Sequence, residues 1–184
     1  EYDIVIDVEV SGHEPVNLGE FKAASVNGKP TIVLTPRAWK RQHILTIFVH
    51  EFIHYLDYRR IKNWSLKGYK KWQEDKSGWI NHPYEYNAFY QQVVQALEDD
   101  FEEKIGRAKS ASDLSNVLYM FGLISLSDFI DFFVRYSGRE FARLNPRGTR
   151  KLKKRLVELY RNLLRRWDEA FEAVTQKEGE EKAA

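Results

Sequence analysis

One stretch constrains this chain more than any other. Between Gln42 and Arg60 the apolar residues Ile44, Leu45, Ile47, Phe48, Val49, Phe52, Ile53, Tyr55 and Leu56 leave a helix no clearly polar face. A helix that is apolar on every side is normally buried. Its centre nevertheless reads His50-Glu51-Phe52-Ile53-His54. A carboxylate buried without a partner costs about several kcal/mol, so any stable fold has to supply one. Residues four apart share a helix face, so His50 and His54 can converge on a single ion. Glu51, one position on, can reach a water held by that ion. Catalytic zinc takes three protein ligands and keeps one position open, which brings the pKa of its water toward ~7. A neighbouring carboxylate can then take the proton and return it to a leaving amine. His-Glu-x-x-His is the smallest sequence that combines these parts. The plainer reading is a surface helix that carries two histidines by chance, and the apolar setting argues against it.

The third ligand is open at this level. Glu85 stands near the start of a second helix opened by His82-Pro83, and by helical turns it shares a face with Ala88, Phe89, Gln92 and Val93. Ala88, one turn on, leaves room for another backbone or an ion. Alternatively, Glu85 is only the third residue of a capping box, with His82 as a poor N-cap. His82 is itself a candidate ligand. Asp57 continues the series 50, 54, 57, but it lies about 10 Å of helix rise from His50. It fits better as an acceptor that orients His54, or as a cap for the following loop. Glu74, Glu98 and Asp99 are further acids in range.

The rest of the chain frames this segment. Residues 3–10 alternate as a half-buried strand, with Ile4, Ile6, Val8 and Val10 on one side. Asn27-Gly28 predicts a hairpin turn between strands near 20–26 and 30–35. Pro30 cannot donate to a ladder, which predicts that the 30–35 strand lies at a sheet edge. Thr35-Pro36 reads as a helix cap followed by proline at the first helical position. Residues 61–82 read mostly as loop, with Trp64, Trp72 and Trp79 as anchors or as one wall of a cleft. The second long helix is expected to reach about Lys104. Helices follow near 113–121 and 127–137, each introduced by serine and closed by glycine. A long helix from about Thr149 to Thr175 repeats Leu152, Leu156, Leu159, Leu163 and Trp167 at spacings of three and four. Strands followed by helices predict an α+β fold. That fold would be a small antiparallel or mixed sheet with an edge strand, packed on the His50–His54 helix and the Glu85 helix, with a helical extension. The expected division is a catalytic core over 1–105, a helical extension packed on it over 106–176, and a flexible tail over 177–184.

Composition narrows the function classes. At 184 residues, with 43% hydrophobic and 30% charged side chains, the chain can build an ordinary core and is not a disordered polymer. There is no cysteine, so disulfides, thiolate ligands and a cysteine nucleophile are excluded. No window reaches the ~18 apolar residues a membrane-spanning helix needs. The first residue is Glu1 with no basic-then-apolar leader, so an intracellular, cytoplasmic location is the expectation and the start reads as trimmed.

With these residues in place, a resemblance can be stated. The strand hairpin, the His50-Glu51-x-x-His54 helix and Glu85 followed by Ala88 on a second helix resemble the gluzincin zinc metallopeptidases. The likeness is to the minimal, single-domain minigluzincin type and to related small peptidases of phages and prokaryotes. It covers residues 30–100 and not the helical remainder. It implies one zinc ion per chain held by His50, His54 and Glu85, with Glu51 as general base. It also implies a polypeptide substrate lying antiparallel along the edge strand near 31–35, a binding mode that strand addition explains. Larger gluzincins carry a further His or Tyr that holds the oxyanion. Tyr84, Tyr86, His82 and Tyr90 are the candidates here.

The expected function is therefore zinc-dependent hydrolysis of peptide bonds by a chain without membrane contact, most simply a monomer. Two other readings stand beside it. From Arg143 to Arg166 the chain has ten basic residues and one acid, Glu158. This is either a solvated helix face or a weak nucleic-acid contact over 147–166. Together with the zinc motif, the second possibility resembles the SprT-like proteases that act on DNA-bound proteins, although the zinc ribbon of that family needs cysteines. The other reading is a degenerate zincin that serves as a non-catalytic binding module. His13 and His43 are isolated and receive no role. Phe129, Phe132 and Phe133 are most simply core.

Overall fold

The computed structural model describes residues 5–8, 19–23, 29–35, 44–60 and 79–183. The chain forms two compact units, residues 1–96 and 97–184. In the first unit, strands β1 (Val5–Val8), β2 (Gly19–Lys22) and β3 (Thr31–Leu34) form one sheet in the order β1-β3-β2. β1 runs parallel to β3, with Val5 opposite Thr31. β2 runs antiparallel to it, with Gly19 opposite Leu34 and Lys22 opposite Thr31. The fold is thus mostly helical with a small mixed sheet.

This order corrects one expectation. The 31–34 strand is central, not an edge, and all four of its residues are buried. Pro30 precedes the first paired residue, so its missing N–H interrupts no ladder bond and carries no information about the edge. A polypeptide cannot lie along 31–34 as an added strand, because β1 and β2 occupy both sides. The Asn27-Gly28 turn and the Thr35-Pro36 cap fall outside the described residues.

Helix α1 spans Ile44–Arg60 and lies against the sheet. Ile32 and Leu34 from β3 meet Ile47, with Phe21, Ile44, Phe48 and Phe52 packed around them. Phe21 also contacts the Tyr55 and Tyr58 rings, at centroid separations of 6.0 and 5.7 Å. The helix is not buried on every side. Its buried residues are Thr46, Ile47, Glu51, His54 and Tyr55, while Leu45 is 67% exposed. Three of those five are polar, so the polar residues sit on the inward face. Periodicity of hydrophobic residues alone could not show this inversion.

After a 3₁₀ turn over Trp79–Asn81, helix α2 spans Pro83–Arg107, slightly past the end expected at about Lys104. Proline at the first helical position needs no N–H there, and the His82 carbonyl accepts the first helical bond, from Tyr86 N–H at 2.9 Å. In the second unit, α3 (Ala111–Met120) and α4 (Leu126–Tyr136) start at Ser110 and Ser125. Each serine hydroxyl accepts an N–H three residues on. Gly122 and Gly138 follow these helices with φ of 64° and 68°, the left-handed conformation glycine adopts without strain. Helix α5 spans Pro146–Ala183 and packs on α3 and α4. Leu152, Leu156, Leu159 and Leu163 form its buried ridge, and Trp167 Nε1–H donates to the Leu114 carbonyl at 2.7 Å. Phe129 and Phe133 are fully buried core, as expected, and Phe132 packs against Phe121 and Phe129.

Helix α5 continues to Ala183, through the stretch expected as a flexible tail from residue 177. Two hydrogen bonds involve this stretch. Ala111 N–H donates to Glu178 Oε1 at 3.1 Å, and Gln176 Nε2 donates to Glu180 Oε1 at 3.1 Å. Among the described residues, no helix is long and apolar enough to cross a membrane.

Candidate metal centre

Helix α1 places His50 and His54 one turn apart, with ring centroids 4.8 Å from each other and planes at 83°. Their Nε2 atoms face one another at 3.1 Å. The first turn of α2 brings in Glu85, whose Oε2 lies 3.4 Å from His50 Nε2 and whose Oε1 lies 3.5 Å from His54 Nε2. Its carboxylate is therefore directed at the imidazoles. Ala88, one turn further on the same face, is fully buried. With a single oxygen taken from Glu85, the three donor atoms lie within 4.8 Å of one another. With the nearer oxygen for each ring, the edges shorten to 3.1–3.5 Å.

This donor set fits a metal ion. Ligand atoms bound tetrahedrally at ~2.0–2.1 Å are about 3.3–3.4 Å apart, close to the observed edges. Two imidazole nitrogens and a carboxylate aimed at one point are compatible with a bound cation. His54, Glu51 and Glu85 are buried, while His50 is half-buried, so the cluster reaches the surface on the His50 side.

The titration directions agree. Burial would raise the Glu85 carboxyl, but hydrogen bonds and charge from His50 and His54 hold it far below the usual carboxylate range. Burial opposes charge on His50, yet the Glu85 hydrogen bond and the nearby Glu51 and Glu85 charges outweigh it and lift its pKa. Even a proton is drawn to the place where a cation fits. Burial pushes the Glu51 carboxyl up, and it stays above its ordinary value despite His50, His54 and the backbone N–H of Phe21 drawing it down.

Glu51 has a close neighbour that the sequence reading missed. A Cβ at Gly19 would lie 3.1 Å from Glu51 Cγ and 3.3 Å from Glu51 Oε1. Strand β2 thus passes directly over Glu51, with Gly19 against its side chain and the Phe21 N–H on its carboxylate. The available signal was a glycine within a strand, which marks close backbone approach.

The remaining candidates lie around this group, outside it. His82 is near enough to feel the charges of Glu85 and His54, and burial lowers its pKa. Its ring stands 5.0 Å from that of Tyr84. Tyr86 is buried and stacks on Tyr90 with centroids 6.2 Å apart. Asp57 is half-buried on α1, one turn beyond His54. Glu98 pairs with Arg166 at 3.4 Å, and Asp99 is exposed. Glu74, Trp64 and Trp72 lie outside the described residues, as do His13 and His43. Trp79 begins the 3₁₀ turn before α2. No protein-family model, curated protein or solved structure matches this chain.

Proposed function

We propose that this chain is a zinc-dependent metallopeptidase of gluzincin type, with His50, His54 and Glu85 as the metal ligands and Glu51 as the general base. The observation that carries the reading is the 3.1–3.5 Å triangle of two imidazole nitrogens and a carboxylate, with a second buried carboxylate adjoining it. A purely structural metal site needs the triangle and has no use for Glu51. Zinc bound there would supply an acidified water and polarise a substrate carbonyl.

The chain's own residues do the rest. Glu85 contributes the negative charge that offsets a divalent ion, and its position at the start of α2 fixes the separation between that helix and α1. Glu51 receives the water's proton on its carboxylate and delivers it to the departing amine nitrogen. Burial raises its pKa above the ordinary carboxylate value, which makes it a stronger proton acceptor. Gly19 and the Phe21 N–H limit the rotamers open to Glu51, so that its carboxylate stays in one place. Extended polypeptide finds its nearest sheet edge at β2, the strand over Glu51, and not at 31–34. His82, Tyr84 and Tyr86 are the polar side chains at hand to steady an oxyanion.

The test is hydrolysis of an unfolded protein by chain carrying a measured zinc content. Cleavage that disappears with a chelator and returns with one equivalent of zinc supports the reading. One zinc per chain without cleavage would assign the domain as a non-catalytic metal-binding module.

A further inference from the structure

The long helix α5 carries a feature that the metal centre does not use. At about 100° per residue, Arg147, Arg150, Lys151, Lys154, Arg161 and Arg165 fall within a sector of about 100°. All six are exposed. The buried ridge of Leu152, Leu156, Leu159 and Leu163 lies on the opposite side of the same helix. Between Arg147 and Arg165 only one acid, Glu158, shares the sector, and past Arg165 the same sector turns acidic with Asp168, Glu169 and Glu172, so the basic stripe ends there. Three arginines elsewhere in this unit are paired: Arg143 with Glu140, Arg107 with Glu103, and Arg166 with Glu98 and Glu102. Among the described residues no acid lies within ion-pairing distance of Arg147, Arg150, Lys154, Arg161 or Arg165. The chain as a whole is nearly balanced, with 29 basic and 27 acidic residues, so the stripe is a local concentration of charge and not a general excess.

We infer that this face of α5 binds the phosphate backbone of double-stranded nucleic acid without regard to sequence. From Arg147 to Arg165 the helix rises about 27 Å. Over that length a duplex presents about 16 backbone charges, one per ~1.7 Å of axis. Four of the six cations are arginines, whose planar guanidinium matches phosphate oxygens in pairs. The sector contains no apolar side chain. It therefore lacks the hydrophobic centre of a protein–protein interface and the apolar face that an interfacial membrane helix inserts. It also lacks an aromatic ring on which unpaired bases could stack, which sets duplex above single strands. This inference is independent of the metal centre and stands or falls separately from it.

Fluorescence anisotropy of a labelled 24-base-pair duplex, titrated with the whole chain from 50 to 200 mM KCl, tests it. About five phosphate contacts give a slope near −4.5 in log K against log salt, so affinity should fall about 500-fold over that range. Arg150→Gln with Arg161→Gln should lower the slope by about two and reduce the fall to about 40-fold. Glutamine is a good helix former, and unchanged circular dichroism checks that α5 persists. Lys153→Gln, exposed but outside the sector, should leave the slope unchanged. Duplex binding that is absent or insensitive to salt overturns the inference. So does a slope that falls as much for Lys153→Gln as for the Arg150→Gln, Arg161→Gln double variant. Tighter binding to a single strand, or to vesicles containing phosphatidylserine, likewise overturns it.

Discussion

Gly19→Ala probes the contact between β2 and Glu51, the proposed general base. The added methyl would sit 3.0 Å from Ile47 Cγ2, 3.1 Å from Glu51 Cγ and 3.3 Å from Glu51 Oε1. Carbon–carbon contacts are most favourable at about 3.5–4.0 Å, so the neighbours must give by about half an ångström. Ile47 and Glu51 are both buried and one turn apart on α1, so neither can swing away into solvent. Overpacking of this kind costs about 1–3 kcal/mol. Replacing glycine by alanine returns about 0.4–1 kcal/mol through the unfolded chain. The net expectation is a destabilisation of about 1 kcal/mol, or about 2–4 °C in melting temperature for a chain of this size. A displacement of Glu51 by about 0.3 Å should lower hydrolysis about 4-fold, taking about 100-fold per ångström. Zinc content should not change, because Glu51 is outside the proposed ligand set of His50, His54 and Glu85. Thermal unfolding, zinc analysis and cleavage of an unfolded protein measure all three. Gly106→Ala is the control: no atom lies within 4 Å of its Cβ position in α2, and alanine should stabilise it by about 1 kcal/mol. A Gly19→Ala chain that is more stable than the parent and fully active would refute the close packing of β2 on Glu51.

Three further outcomes are expected. Glu85→Gln should weaken zinc binding about 10-fold or more in a chelator competition, whereas His82→Ala should leave it nearly unchanged; the reverse result would move the third ligand to His82. In the metal-free chain, Glu85 is depressed from 4.5, so its contribution is present above that value and is lost as pH falls. His50 is raised from 6.5 and Glu51 from 4.5, so theirs are present at low pH and are lost as pH rises. Melting temperature against pH should therefore peak between about 4.5 and 6.5 without metal, and a curve still rising from pH 6.5 to 9 would contradict this. Gly122→Ala should destabilise more than Gly138→Ala: both have positive φ and lose about 1 kcal/mol, but only at Gly122 would the methyl meet Asp128 O at 2.8 Å and Phe132 Cβ at 3.0 Å. Denaturant midpoints of the two variants measure the difference.

What could be read from the sequence divides along local and non-local lines. His50, Glu51 and His54 were legible because four residues on a helix fix their relative placement. The serine starts and glycine ends of α3 and α4 were legible for the same reason. Glu85 could be nominated from its helical face, but whether its carboxylate turned to the imidazoles or back to its own N-terminus depended on α1, over thirty residues earlier. Strand order was not legible. Pro30 looks like an edge signal, yet it precedes the ladder, and the parallel partner β1 comes from more than twenty residues away. The end of α5 was also missed, because polar residues over 177–183 give no periodic signal while Glu178 is held by the Ala111 N–H. Likewise Gly19 became meaningful only once β2 was found lying on Glu51.

The most direct test of the central claim is the initial rate of hydrolysis of an unfolded polypeptide by Glu51→Gln, compared with the parent at one zinc per chain in both. Glutamine keeps the size of Glu51 but cannot take up the proton. The account predicts full zinc occupancy in the variant with cleavage reduced by about 100-fold or more. Equal rates at equal zinc would remove Glu51 as the base and contradict the proposed peptidase.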